Sequence, residues 1–178
     1  PTGQLQKLAR QGDQVPGYEG DVHFGFMKFD PSINDKGDVA FASDLEGEDV
    51  EPNSSAALWI SSNGVTELAV RTGTAIPEWT GEASWGSLWI TIPRINNRGE
   101  IAFRATVSNI VNPSGSLEVI ALRSAEGAFS FPFILGEQAP DAPNGVLFAQ
   151  DQIGERTFSP YLNDRGQVAF HAYVEGPG

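Results

Sequence analysis

Four tryptophans, two histidines and one acidic run are the side chains here with the means to do chemistry. Trp79 and Trp85 fall in the link after Pro77, beside Thr80, Gly81 and Glu82. Exposed aromatic rings in a link offer flat apolar faces on which sugar rings can stack, which makes this pair the candidate ligand-binding site. The competing reading has both rings folded back over strand edges. Trp89 follows in the same link, while Trp59 sits inside Ala57-Leu-Trp-Ile-Ser61 and is expected in the core. The acidic run carries Asp44, Glu46, Glu48 and Asp49, with Glu51 just beyond. Calcium takes six to eight oxygens from a turning backbone, so these four carboxylates are weak candidate calcium ligands. The run lacks the Asp-x-Asp-x-Asp-Gly order of a known calcium loop, and a solvated acidic loop is the default expectation. His23 and His171 lie far apart, with no Gly-x-Ser-x-Gly elbow and no evident triad pattern, and no catalytic residue is assigned. Asn53-Ser-Ser55 fits a glycosylation acceptor and is read as a polar loop.

Composition narrows the classes. The chain has 178 residues, 40% of them apolar and 19% charged, enough for one sizeable core and against disorder. A net charge of −12 repels nucleic acid phosphates and anionic membrane surfaces. The absence of cysteine removes disulfides, thiolate catalysis and thiolate zinc sites. No apolar run approaches the roughly 18 residues of a membrane span, so membrane insertion is not expected. The chain opens on Pro1 with no signal peptide in view, which reads as a processed chain or a piece of a longer one.

The elements that must hold these residues announce themselves by repetition. Asn34-Asp-Lys-Gly37-Asp-Val-Ala40-Phe41 returns as Asn96-Asn-Arg-Gly99-Glu-Ile-Ala102-Phe103 and as Asn163-Asp-Arg-Gly166-Gln-Val-Ala169-Phe170. A second phrase, Gly-x-x-x-Pro, recurs in step from Gly12 to Pro16, Gly73 to Pro77 and Gly136 to Pro140. Two unrelated motifs sharing a period define an internal repeat. Period-two alternation follows each Asn-x-x-Gly, as in Ile101, Phe103, Ala105 and Val107, and marks strands. Short strands Pro31–Ile33, Pro93–Ile95 and Pro160–Leu162 enter each phrase, so Asn34, Gly37, Asn96, Gly99, Asn163 and Gly166 are read as hairpin-turn residues. Further strands are expected on either side of Asn63-Gly64, over Leu117–Leu122 and Ala128–Leu135, and at Leu5–Arg10. The fold expected is all-β, with propeller-like blades of four antiparallel strands and about three repeats. The units run roughly over 17–77 and 78–140, with a third split between 141–178 and 1–16. A β-trefoil or a β-sandwich is the alternative.

The Asn-x-x-Gly-x-x-Ala-Phe phrase, with Leu8-Ala-Arg10-Gln-Gly12-Asp-Gln-Val-Pro16-Gly before it, resembles a family of bacterial tandem-repeat proteins named after that phrase. The likeness covers essentially the whole chain. It implies a secreted or surface-anchored, propeller-like repeat protein, and it brings no catalytic residues with it. The chain departs from that pattern in its length and in showing no anchoring tail. The expected function is a non-enzymatic secreted or cell-surface β-repeat module with a structural, assembly or ligand-binding role. The alternative is a carbohydrate-binding lectin or a propeller-type glycan-active enzyme. No cofactor is expected beyond a possible calcium ion. The expected partners are a second copy of the chain or flanking chain, joined through exposed sheet edges, with a glycan as the candidate ligand.

Overall fold

The computed structural model describes residues 5–52, 54–79, 81–88, 92–109, 115–149 and 159–176. Thr80, Trp89 and the acceptor residue Asn53 lie outside the described residues. The described chain is all-β, with no helix.

A first sheet is a simple antiparallel meander of β1 (His23–Ile33), β2 (Val39–Glu46), β3 (Ala56–Ser62) and β4 (Val65–Arg71). A second repeats it with β5 (Ser84–Trp85), β6 (Arg94–Ile95), β7 (Ile101–Ser108), β8 (Ser116–Arg123) and β9 (Phe129–Ile134). Here β5 and β6 pair with opposite ends of β7, doing separately what β1 does with β2 in one irregular strand. The remaining strands form two small ladders. They are β10 (Leu147–Ala149) with β13 (Tyr173–Glu175) and β11 (Tyr161–Leu162) with β12 (Val168–Ala169).

Equivalent residues do equivalent work in each unit. Phe24, Trp85 and Phe148 lie across their sheets from Leu45, Val107 and Val174. Each also accepts a hydrogen bond from the glycine of a Gly-x-x-x-Pro phrase: Gly12 N–H to Phe24 O, Gly73 N–H to Trp85 O, Gly136 N–H to Phe148 O, at 2.7, 2.7 and 2.9 Å. The phrase therefore bonds to the sheet that follows it and serves as the joint between units. At Gly12, Gly73 and Gly136 the backbone has φ of 84°, 79° and 85°, a region open to glycine at no steric cost.

The sheets pack face to face. The alternate residues Ala40 and Ala42 of β2, with Leu58 and Ile60 of β3, share one core with Trp85, Ile95, Ile101 and Phe103. Period-two alternation sends Phe41, Leu45 and Trp59 to the opposite side, where they pack with Phe24, Val15 and Val22. The far face of the second sheet, through Ile120 and Phe133, packs on Phe148 and Phe170. Each unit thus presents its phenylalanine-bearing face backward and its other face forward. Trp59 is fully buried and donates its indole N–H to Ser43 Oγ at 3.0 Å, which satisfies its polar edge inside the core.

Two expectations are corrected here. Leu5–Arg10 is not a strand. Leu5 is 98% exposed, and Lys7 and Arg10 turn to ion-pair with Asp13 at 2.9 and 3.0 Å. A strand requires a ladder partner, and among the described residues none lies beside this segment. The alternating stretch from Val168 to Val174 is also not one strand but breaks into β12 and β13, with residues 170–172 between them outside any strand. In the second unit the equivalent β7 is held straight along its whole length by β8, a support the third unit lacks among the described residues.

The buried indole generates a first prediction. Trp59→Phe leaves Ser43 without its donor and opens a gap, and should destabilise the chain by about 2–4 kcal/mol. Ser43→Ala in the Trp59→Phe background should cost less than it does alone. Urea unfolding of the four proteins checks both statements, and additive costs would refute the pairing.

Candidate functional site

The three Asn-x-x-Gly turns are built alike. Gly37 N–H bonds to Asn34 O at 3.1 Å, and Asn34 N–H to Asp38 O at 3.1 Å, the pattern of a three-residue hairpin loop closed by a left-handed glycine. Gly37, Gly99 and Gly166 have φ of 86°, 79° and 77°. The asparagine carbonyl oxygen then caps the loop from inside. Asn34 Oδ1 accepts from Lys36 N–H and Asp38 N–H, Asn96 Oδ1 from Arg98 and Glu100, and Asn163 Oδ1 from Arg165 and Gln167. The turn assignment made from sequence for all six residues therefore describes their geometry.

Sequence reasoning missed that the turns are also bonded to one another. Asn34 Nδ2 donates to Asn96 O at 2.9 Å, and Asn96 Nδ2 donates to Asn163 O at 2.9 Å. The next residue along repeats the step: Asp35 N–H donates to Asn97 Oδ1 and Asn97 N–H to Asp164 Oδ1, each at 2.8 Å. Asn97 Nδ2 reaches both ways, to Asp35 Oδ2 at 2.7 Å and Asp164 Oδ2 at 2.8 Å. The result is a ladder of three turns, each rung a side-chain amide. The signal was present in the alternation Asp35, Asn97, Asp164, where one amide stands between two carboxylates.

Electrostatics follow this geometry. The Asp164 carboxyl is held below the ordinary carboxylate range, chiefly by the Asn97 backbone N–H and then by the Asn97 side chain. The Ser62 hydroxyl, followed by the Asn34 amide, lowers that of Asp38. A basic residue occupies the third place of every turn, Lys36, Arg98 and Arg165. Arg98 pairs with Glu100 at 3.1 Å and donates to Arg165 O at 3.2 Å.

A cleft of about 1020 Å³ opens beside the joint between the first two sheets, its wall including Lys28, Asp44, Thr72, Gly86, Thr106 and Asn109. Lys28 and Asp44 are ion-paired at 2.8 Å. Several polar groups of the wall are engaged in holding the joint. Thr106 Oγ1 accepts Ser87 N–H at 2.7 Å, Thr72 Oγ1 accepts Ala56 N–H at 3.1 Å, and Asn109 Nδ2 donates to Ser84 Oγ at 3.0 Å.

The structure separates the other candidates. Trp85 is 2% exposed, its ring packed against Phe103, Phe129 and Phe131, and it enters the wall of the cleft only by that small exposed remainder. Trp79 is part-buried and meets Phe131 edge-on, with centroids 4.9 Å apart. Both cover the core between the first two sheets, which is the competing reading of the sequence. The acidic run does not converge. Asp44 is paired with Lys28, and Asp49 accepts Asp21 N–H at 2.7 Å while Asp21 in turn accepts Glu48 N–H at 2.8 Å. Among the described residues no group of three or more acidic, histidine or cysteine side chains is placed to hold a metal ion. His23 stands 3.3 Å from Asp21, and His171 stacks obliquely near Tyr173, far apart along the chain.

Two predictions come from the ladder. Asn96 is 3% exposed and makes every bond of the pattern, including one to the Glu100 carboxylate at 2.6 Å. Asn96→Ala should cost roughly 2–4 kcal/mol, and Asn163→Ala, in an exposed turn, about 1 kcal/mol. Equal losses in urea unfolding would contradict the ladder. The second concerns acid. Because the folded carboxyls of Asp38 and Asp164 are depressed, the stability they contribute is complete above the ordinary carboxylate value, about 3.9. It is lost as pH falls through their lower folded values. Urea midpoints should therefore drop steeply below about pH 4, and less steeply in Asp38→Ala.

No curated protein and no solved structure matches the chain significantly. A family described as being of unknown function, DUF7453, matches it over residues 1–73 and again over 52–178. Between them the two overlapping matches span the three turns and the joints, and the chain belongs to that family.

Proposed function

We propose that this chain is a non-enzymatic, secreted or cell-surface β-repeat module whose work is structural: it stacks propeller-like blades into a scaffold for assembly or ligand binding. The observation that carries the reading is the ladder of Asn34, Asn96 and Asn163, which spends the most regular side chains of the sequence on joining one unit to the next. The resemblance to bacterial tandem-repeat proteins supports the location and the propeller-like arrangement. The polar groups that could have done chemistry are occupied in the same way, as caps, ion pairs and joint bonds.

One observation favours a second reading, a glycan-binding module. The cleft beside the first joint is large, and its wall is rich in hydroxyl and amide groups, the chemistry that suits sugars. A propeller-type glycosidase draws less support, because such enzymes set two carboxylates across the scissile bond. Among the described residues that line this cleft the carboxylate is Asp44, already paired with Lys28.

A glycan array separates the two readings. The scaffold reading expects no glycan retained at micromolar concentration and no hydrolysis of arrayed glycans. A retained glycan whose binding falls at least about tenfold in Lys28→Ala would move the conclusion to the cleft and to a lectin.

A further inference from the structure

Among the described residues the ladder is open at both ends. Asn34 Nδ2 and Asn96 Nδ2 each make two bonds, one within the turn and one to the next turn. Among the described residues Asn163 Nδ2 makes the first kind alone, to Gln167 Oε1 at 2.8 Å. At the other end the carbonyl of Asn34 accepts Gly37 N–H, whereas those of Asn96 and Asn163 also accept the amide of the turn before.

The apolar surface behind the first turn is open in the same sense. Ile95 is buried against the first unit, and Pro93 and Pro160 are buried as well. Their counterparts in the first unit, Pro31 and Ile33, are exposed, Ile33 by 69% against 8% for Ile95. An apolar groove of about 180 Å³ lies beside them, with Leu8, Met27, Phe29, Val39 and Phe41 in its wall. In the second unit the equivalents of Val39 and Phe41, Ile101 and Phe103, are covered by Ala40, Ala42, Leu58 and Ile60, whereas in the first unit Phe41 is covered from within by Val15, Val22 and Phe24 and the opening lies at Pro31, Ile33 and half-buried Val39. The internal joint thus specifies what fits this face: the forward face of another unit of the same kind, with its own asparagine turn set one rung before Asn34.

Charge decides which unit. At each internal joint the second residues of neighbouring turns stand within hydrogen-bond distance, and one of the two is always the amide Asn97. Asp35 and Asp164 occupy the two ends. A second copy docked head to tail would set Asp164 of one copy against Asp35 of the next, two carboxylates with no side-chain amide between them. Like charges at about 3 Å oppose that contact.

We propose that the face carrying Pro31, Ile33 and the Asn34 turn is a docking surface for a repeat unit whose turn begins Asn-Asn, as Asn96-Asn97 does, and that Asp35 and Asp164 reject a second copy of this chain. The alternation of Asp and Asn at the second turn position is then a pairing code between repeats. The proposal rests on the scaffold reading given above and adds which partner the scaffold accepts.

Sedimentation velocity at neutral pH tests it on the whole chain. The wild type should run as one species over a wide concentration range. Asp35→Asn is close in shape, sits on an exposed turn, and gives the second copy's first turn the missing amide. It should self-associate at least about tenfold more tightly than the wild type. Adding Ile33→Arg, at the exposed face, or Asn163→Ala, at the other end, should abolish that gain. Asp164→Asn makes the same correction from the opposite side and serves if circular dichroism shows Asp35→Asn to be misfolded. Wild-type association that Asp35→Asn does not strengthen would overturn the charge code while leaving the scaffold reading in place. A folded Asp35→Asn that stays one species would overturn the docking surface itself. Glycan binding or turnover would instead remove the scaffold reading, without bearing on the sedimentation result.

Discussion

The side-chain amide of asparagine is what the rest of this structure depends on. It carries one acceptor and two donors on a short stem, and the first two turns use all of them. The oxygen caps two backbone N–H groups inside the hairpin loop, one hydrogen stays within the turn, and the other reaches the carbonyl of the next turn. Local shape and long-range order therefore come from a single group. Aspartate would keep the cap and lose the rung, and serine would be too short to span both.

Packing is organised around the same period. Because the strand after each turn alternates, its phenylalanine faces backward and, in the first unit, Ala40 and Ala42 face forward. Small residues on one sheet meet large ones on the next, as Ala40 and Ala42 meet Trp85 and Phe103. The Gly-x-x-x-Pro joint fixes the distance over which this meeting happens, since its glycine is bonded to the first strand of the following sheet. Turn, strand and joint thus repeat together, and a change in one would disturb the register of the others.

The same logic accounts for the fate of the conspicuous residues. Trp85 occupies the position held by Phe24 and Phe148 in the other units, and all three sit across from an aliphatic residue of the strand after the turn. Its large ring fills the first interface, where the facing alanines leave room. The acidic run begins at the end of β2 and continues past it, where Asp49 and Asp21 cap each other's loops. Their chemistry is that of a close-packed joint, with donors and acceptors already matched.

Much of this was legible in the sequence. Repetition at Asn34, Asn96 and Asn163 and alternation after each were enough for the turns, the strands that follow them and an all-β chain, because hairpin geometry and strand periodicity are local properties. Sequence also placed Trp59 in the core, from its apolar neighbours. What it left undecided was everything that depends on which surfaces meet. The link residues Trp79 and Trp85 were open to a reading as a sugar platform as well as a cover, and the approach of the second sheet made them cover. Leu5–Arg10 has the composition of a strand but, among the described residues, pairs with none. The pairing of turns across units is likewise invisible locally, because a rung joins residues far apart in the chain. A hydrogen bond of that kind exists only once stacked sheets have brought the two turns within about 3 Å.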